Sequence, residues 1–249
     1  MGYATGMDVA AVRSKGIVIT YTPGTLSVST AEFTLGHLLN LRRTITAQNN
    51  LIKHGMSTPI EKGYELANKR LGIIGLGGVG ATVASMATQG LNMEVVYFSR
   101  SQKPTIEAEL GIQFLDLDNL LKTSDIVMIL VPDTNQTRGM IGRREIGLMK
   151  EGSLLINTAR PFVVDPWALK EALTSGKLGG ASMDNYYVNP YPTPDQDPYG
   201  LLSLPDRQFI VTAWTGSFTH EARDAMGDMV CTSILNILAG HKDQNVVGD

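Results

Sequence analysis

The chain has 249 residues, 43% of them hydrophobic and 18% charged, with a formal net charge of −3. That is the composition of a soluble globular protein able to bury a core without disulfides or metals, and its mild acidity excludes a nucleic-acid surface built on a basic block. A single cysteine, Cys231, excludes a disulfide framework and suits a reducing, cytoplasmic compartment, while His37, His54, His220 and His241 never fall at metal-ligand spacing, so no metal site is expected.

The opening stretch, MGYATGMDVAAVRSKG, lacks the basic-then-apolar order of a signal peptide. Ser29-Thr30-Ala31-Glu32 has capping-box spacing and predicts a long helix from Ser29 through Lys53. Nothing ionisable occurs between Arg70 and Glu94, but that stretch is rich in Gly, Thr, Ser, Gln and Asn. It predicts a buried strand (70–77), a glycine turn and a small-residue helix (78–90) rather than a membrane span. Strands are expected at 93–99, 125–131, 152–159, 179–184 and 207–213, and helices at 117–124, 143–150 and 165–177. Residues 189–205, with four prolines after Asn189 and before Pro205, predict an irregular loop. A last helix from Thr219 to Ala239 carries Met226, Met229, Val230, Ile234, Ile237 and Leu238 on one stripe and stops at Gly240. Continuous apolar strands alternating with helices specify an α/β fold, a doubly wound parallel sheet covered on both faces.

GLGGVG sets Gly75, Gly77 and Gly80 at dinucleotide-fingerprint spacing, between a strand and a helix, with Gly78 and Val79 inside the turn. Gly75 permits the tight turn, Gly77 lets backbone approach a pyrophosphate, and Gly80 lets the helix pack closely on the strand. The next strand ends in Ser99, Arg100, Ser101 and Lys103, where an NAD-binding site would place a carboxylate. Hydroxyls around a guanidinium suit a ribose 2′-phosphate, so NADP is favoured, with NAD as the alternative.

With these segments in place the chain resembles the D-isomer-specific 2-hydroxyacid dehydrogenase family. The resemblance runs through GIVITYTPG, STAEFTL, ELANKRLGIIGLGGVG, SDIVMILVPDTNQTRGMI, LMKEGSLLINTARPFVVDPWALKEALTSGKLGGASMD and EARDAM. YFSRSQKP is most similar to the NADP-using glyoxylate and hydroxypyruvate reductase branch. The resemblance implies a Rossmann-like cofactor domain over 29–217 that includes a long dimerisation helix. It also implies a C-terminal helical segment over 218–249 and, in residues 1–28, only a remnant of the substrate domain. A homodimer acting on a small 2-keto or 2-hydroxy acid follows, with no nucleic-acid or membrane partner.

The same resemblance assigns the site. Arg160 would bind the substrate's carboxylate and carbonyl oxygen, although Pro161 replaces the neighbouring glycine. Asp184 lies near the nicotinamide, and Val131, Pro132, Thr137, Thr158 and Ala159 line the cofactor. The family's acid–base pair is replaced: Asn189 stands where the glutamate should be, and Trp214 stands where the histidine should be. Indole has no proton to exchange near neutral pH, so Trp214 cannot act as general acid. Of the possible substitutes, His220 falls at the start of the last helix. Tyr186 and Tyr187 could offer a phenolic proton or simply pack as aromatics. Cys231 reads as buried and inert. Three readings follow: a reductase with weakened or altered acid–base chemistry, a catalytically inactive dinucleotide-binding interaction module, or a truncated or decayed relative whose cofactor domain folds but does little.

Overall fold

The computed structural model describes residues 7–56 and 62–247. Residues 1–6 of the expected front segment and 248–249 of the C-terminal one lie outside the described residues. Seven parallel strands form the sheet: β1 (Arg70–Ile74), β2 (Glu94–Phe98), β3 (Gln113–Phe114), β4 (Ile126–Ile129), β5 (Ser153–Asn157), β6 (Leu178–Asp184) and β7 (Phe209–Thr212). Their spatial order is β3-β2-β1-β4-β5-β6-β7, so the winding reverses between β1 and β4. In an open parallel sheet that reversal leaves a crevice beyond the carboxyl ends of the two strands, which is where ligands bind.

Side-chain alternation along each strand supplies both faces. Leu71, Ile73, Ile126, Met128, Leu154 and Ile156 pack to one side, together with helices α2 (Ser27–Arg43) and α4 (Gly78–Leu91). Ile74, Val127, Ile129 and Leu155 pack to the other, with α6 (Leu117–Thr123), α7 (Arg143–Leu148) and α8 (Pro166–Ser175). A strand buried on both faces cannot alternate apolar with polar, which explains the unbroken apolar runs. Helices α6 and α8 take their N-caps from acids: the Asp116 and Asp165 carboxylates accept the N–H of Asn119 and Ala168. No helix among the described residues is long and apolar enough to cross a membrane.

Four expectations need correction. The first long helix starts at Ser27, not Ser29. Its Ser29 hydroxyl is turned inward to Thr219 Oγ1 at 2.8 Å, so no capping box forms there. The same helix also breaks at Thr44, whose φ is 51°, and resumes as α3 (Ile45–Lys53). Asn40 bridges the break, its amide accepting from Thr46 N at 2.9 Å and donating to Thr46 Oγ1 at 2.8 Å; side chains thus replace the interrupted helical ladder. In α9 (His220–Leu238), Val230, Ile234 and Leu238 of the apolar stripe are exposed, as is Leu235 beside it. Only Ala222 and Ser233 of that helix are buried, and Cys231 is accordingly exposed rather than buried.

Residues before α2 form α1 (Val9–Ser14) and then an extended segment that meets the far end of the chain. Thr20 and Val246 form an antiparallel bridge, Val247 N donates to Ile19 O at 2.8 Å, and Tyr21 N donates to Asn245 O at 3.0 Å.

Candidate functional site

Two cavities lie over the carboxyl edge of the sheet and meet at Leu130. The first, about 560 Å³, opens above β1, β2 and β4. Gly75 and Gly77 line it, as do Ser99, Arg100, Ser101 and Lys103 beyond β2, and Val131, Pro132 and Thr137 beyond β4. The glycines are used differently. A Cβ on Gly75, whose φ is 106°, would strike Leu130 O at 2.7 Å; one on Gly80 would strike Gly75 O at 2.2 Å. A Cβ on Gly77 would meet nothing within 4 Å. Gly75 and Gly80 therefore close the strand–helix turn, while Gly77 leaves open space at the N-terminus of α4, where unpaired amides and the helix dipole attract anionic groups. Gly78 and Gly80 sit inside the helix and do not line the cavity. Ser99 Oγ is turned onto Ser101 O at 2.6 Å, and Thr137 Oγ1 donates to Pro132 O at 2.5 Å, so both loops are tied down locally. Among the described residues, no carboxylate lines this cavity.

The second cavity, about 350 Å³, collects Val79, Thr158, Ala159, Arg160, Asp184 and Trp214. Arg160 leaves β5 through a turn in which Asn157 donates to Arg160 O at 2.9 Å and accepts from Ala159 N at 3.1 Å. Its guanidinium donates to Ala159 O at 2.9 Å and lies over the Trp214 ring, 4.8 Å from the centroid. Trp214 holds φ at 57°, a left-handed conformation unfavourable for a bulky residue, and is 56% exposed. The restraint comes from Asp184, which is buried. Its Oδ1 accepts from Thr215 N at 2.9 Å and from Thr212 Oγ1 at 2.8 Å, and its Oδ2 accepts from Gly216 N at 2.8 Å. The carboxylate thereby grips both amides that follow Trp214.

Asn189 is exposed in the loop after β6 and lines neither cavity. His220 is an exposed residue in the first turn of α9, behind the Thr219 N-cap, and also lies outside both. Tyr186 and Tyr187 are buried in an aromatic cluster with Phe162, Tyr199 and Phe209, where burial raises both phenol pKa values well above the usual range. They pack, and neither lines the second cavity.

The sequence reading missed two contributors. Arg223, on α9, brings a second guanidinium to the cavity and stacks over Phe218 at 4.9 Å. His37, on α2, is buried beneath it, with Nδ1 against Ser182 Oγ and Nε2 3.2 Å from Thr212 Oγ1. Desolvation lowers the His37 pKa, and the Asp184 charge partly opposes that shift. Arg223 lies in the EARDAM segment without any spacing that marks it as a site residue, His37 sits in no motif, and only the fold brings them to this place.

Comparison with known proteins identifies a family and several relatives. The family model described as the NAD binding domain of D-isomer specific 2-hydroxyacid dehydrogenase matches residues 35–216. A glyoxylate reductase of Thermococcus litoralis is 35% identical, over 98% of this chain and 75% of its own length. Among solved structures, the TT0316 protein from Thermus thermophilus is similar at 34% identity with a TM-score of 0.87, covering 99% of this chain and 77% of that one. A glyoxylate reductase from Paecilomyes thermophila is similar at 28% identity with a TM-score of 0.86, covering 97% of this chain and 71% of that one.

Proposed function

The chain belongs to the D-isomer specific 2-hydroxyacid dehydrogenase family, and from that premise we propose that it transfers hydride between a nicotinamide cofactor and a small 2-keto or 2-hydroxy acid. One observation carries the reading: a cavity with a glycine turn runs at Leu130 into a second cavity that holds Arg160 and Asp184. A dinucleotide laid along the first would put its nicotinamide end into the second. The open space at Gly77 fits a pyrophosphate there.

We favour NADP over NAD. Arg100 and Lys103 with the serine hydroxyls offer cations and donors to a 2′-phosphate, and no carboxylate among the described residues lines that cavity to repel it. When bound, the reduced nicotinamide supplies a hydride to the substrate's carbonyl carbon. Arg160 presents a planar fork that matches the carboxylate and carbonyl oxygens of a 2-keto acid, and Trp214 holds that fork by stacking on it. Asp184 fixes the turn that carries Trp214, and Arg223 adds positive charge toward an anionic substrate. Trp214 cannot deliver the proton that the reduced oxygen needs, so that proton comes from solvent. Turnover is then slower than with a general acid by about 10²–10⁴-fold.

An inactive binding module is the less favoured reading, because the family membership and the Arg160-lined cavity both point to chemistry. A homodimer paired through α2 and α3 is supported by the exposed apolar residues Val28, Leu39, Ile45 and Ile52. The single cysteine suits a cytoplasmic setting.

The test is titration with NADPH and NADH by fluorescence, followed by absorbance assays with glyoxylate, hydroxypyruvate and pyruvate. Tighter binding of NADPH and slow oxidation with at least one keto acid are expected. Binding without oxidation at high enzyme concentration would establish the inactive module instead, and failure to bind either nucleotide would remove both readings.

A further inference from the structure

Thr212 Oγ1 lies 2.8 Å from Asp184 Oδ1 and 3.2 Å from His37 Nε2. A carboxylate can only accept, so the threonine proton points to Asp184, and the threonine oxygen must accept from the imidazole. That places the ring proton on Nε2. In the neutral ring Nδ1 is then an acceptor, and Ser182 Oγ–H supplies its donor. The hydrogen bonds thus run in one direction, from Ser182 to His37 to Thr212 to Asp184, and end on the carboxylate that holds the Thr215 and Gly216 amides.

Among the described residues of the elements packed against α2, the charge that acts on this ring is Asp184. The strands packed against α2 contribute a single charged residue, Asp184, since β5 and β7 have none, and α4 has none either. On α3 the only charge is Lys53, in its last turn, and on α2 itself the charged residues are Glu32, Arg42 and Arg43. Phe33 flanks the ring at 4.6 Å, and the same phenyl would lie 3.2 Å from a Cβ on Gly216. The imidazole therefore stands beneath the Trp214 turn as well as behind Asp184.

We propose that His37 is a positioning residue for the nicotinamide end of the site: donating through Thr212, it orients Asp184 and thereby the turn that sets Trp214 against Arg160. This deepens the function proposed above and rests on it. A histidine present only for packing would be equally served by an apolar ring of similar size. A histidine that acts along the wire requires the Thr212 hydroxyl as well.

The experiment uses the full chain in a Trp167→Phe background, so that Trp214 is the sole tryptophan, and compares His37→Phe, His37→Gln, Thr212→Val and the His37→Phe/Thr212→Val double variant. Three quantities are measured: Trp214 emission without cofactor, the NADPH dissociation constant, and KM against kcat for glyoxylate. His37→Phe and Thr212→Val should each shift the emission and weaken NADPH or glyoxylate binding about tenfold. The double variant should be no worse than either single one, because both cut the same wire. His37→Gln, which keeps a donor and an acceptor, should stay near the parent. The proposal is overturned if the single variants lower only the melting temperature and leave emission and binding unchanged, or if their losses add. Thr212→Val, nearly isosteric, answers the question even if His37→Phe does not fold. A parent that binds neither nucleotide would refute the proposed function, whereas an unmoved emission in the variants would refute the His37 role alone.

Discussion

The cavity over β1 and β2 is shaped by backbone, and the one beside it by side chains. In the first, glycines set the wall, and its polar loops are tied by short local hydrogen bonds. In the second, Leu26, Thr158, Asp184, Trp214 and Arg223 arrive from five separate segments, and a tryptophan is held at φ 57° by a buried carboxylate. A wall of backbone tolerates variation in everything except its glycines. A wall of side chains depends on each partner and can be respecified by a few substitutions.

The largest effect that would break this contrast is expected at Gly80. Its Cβ would collide with backbone at 2.2 Å, so Gly80→Ala should cost about 3 kcal/mol in urea unfolding and abolish NADPH binding with it. Arg160→Lys should leave stability unchanged but lose the bidentate fork, lowering kcat/KM for glyoxylate by about 2 kcal/mol, or thirtyfold. Gly77→Ala sharpens the comparison most directly. Its Cβ meets no protein atom and its φ of −88° suits alanine, so unfolding should be unaffected while the NADPH dissociation constant rises about tenfold. Trp214→Ala should forfeit about 0.5–1 kcal/mol of stacking with Arg160, read as a few-fold rise in the KM for glyoxylate.

The smallest effect concerns the buried Tyr97 on β2, behind the first cavity's wall. Burial and the hydrogen bond to Glu107 raise the Tyr97 phenol from 10.0 to about 12. A raised folded value means stability that is complete below pH 10 and is lost as pH climbs toward 12. Tyr97→Phe should flatten alkaline unfolding in that window.

The contrast also explains what the sequence disclosed. Strand runs such as 125–131 and the glycine turn are local patterns tied to one periodicity, and both were legible. The missed pieces lack such a signal. Helix α5 (Pro104–Leu110) spans seven residues and β3 only two. The break at Thr44 is bridged by the Asn40 side chain, which no apolar period reveals. Arg160 and Trp214 could be placed through family resemblance, but their stacking could not, since it depends on a backbone angle at Trp214 and a carboxylate thirty residues before it in sequence. His37 looked like one of four unrelated histidines because its partners, Ser182 and Thr212, are far from it along the chain and adjacent only across the sheet.

The bridge between Thr20 and Val246 has a consequence for cleavage. Residues 19–21 are sewn to residues 245–247 by backbone hydrogen bonds, so the described front segment is held twice: covalently through the stretch leading into α2, and non-covalently through the tail that follows α9. A protease nick in the exposed residues Pro23 and Gly24 would sever the first attachment and leave the second. The cut chain should migrate as one particle under native conditions and separate into two fragments only when denatured.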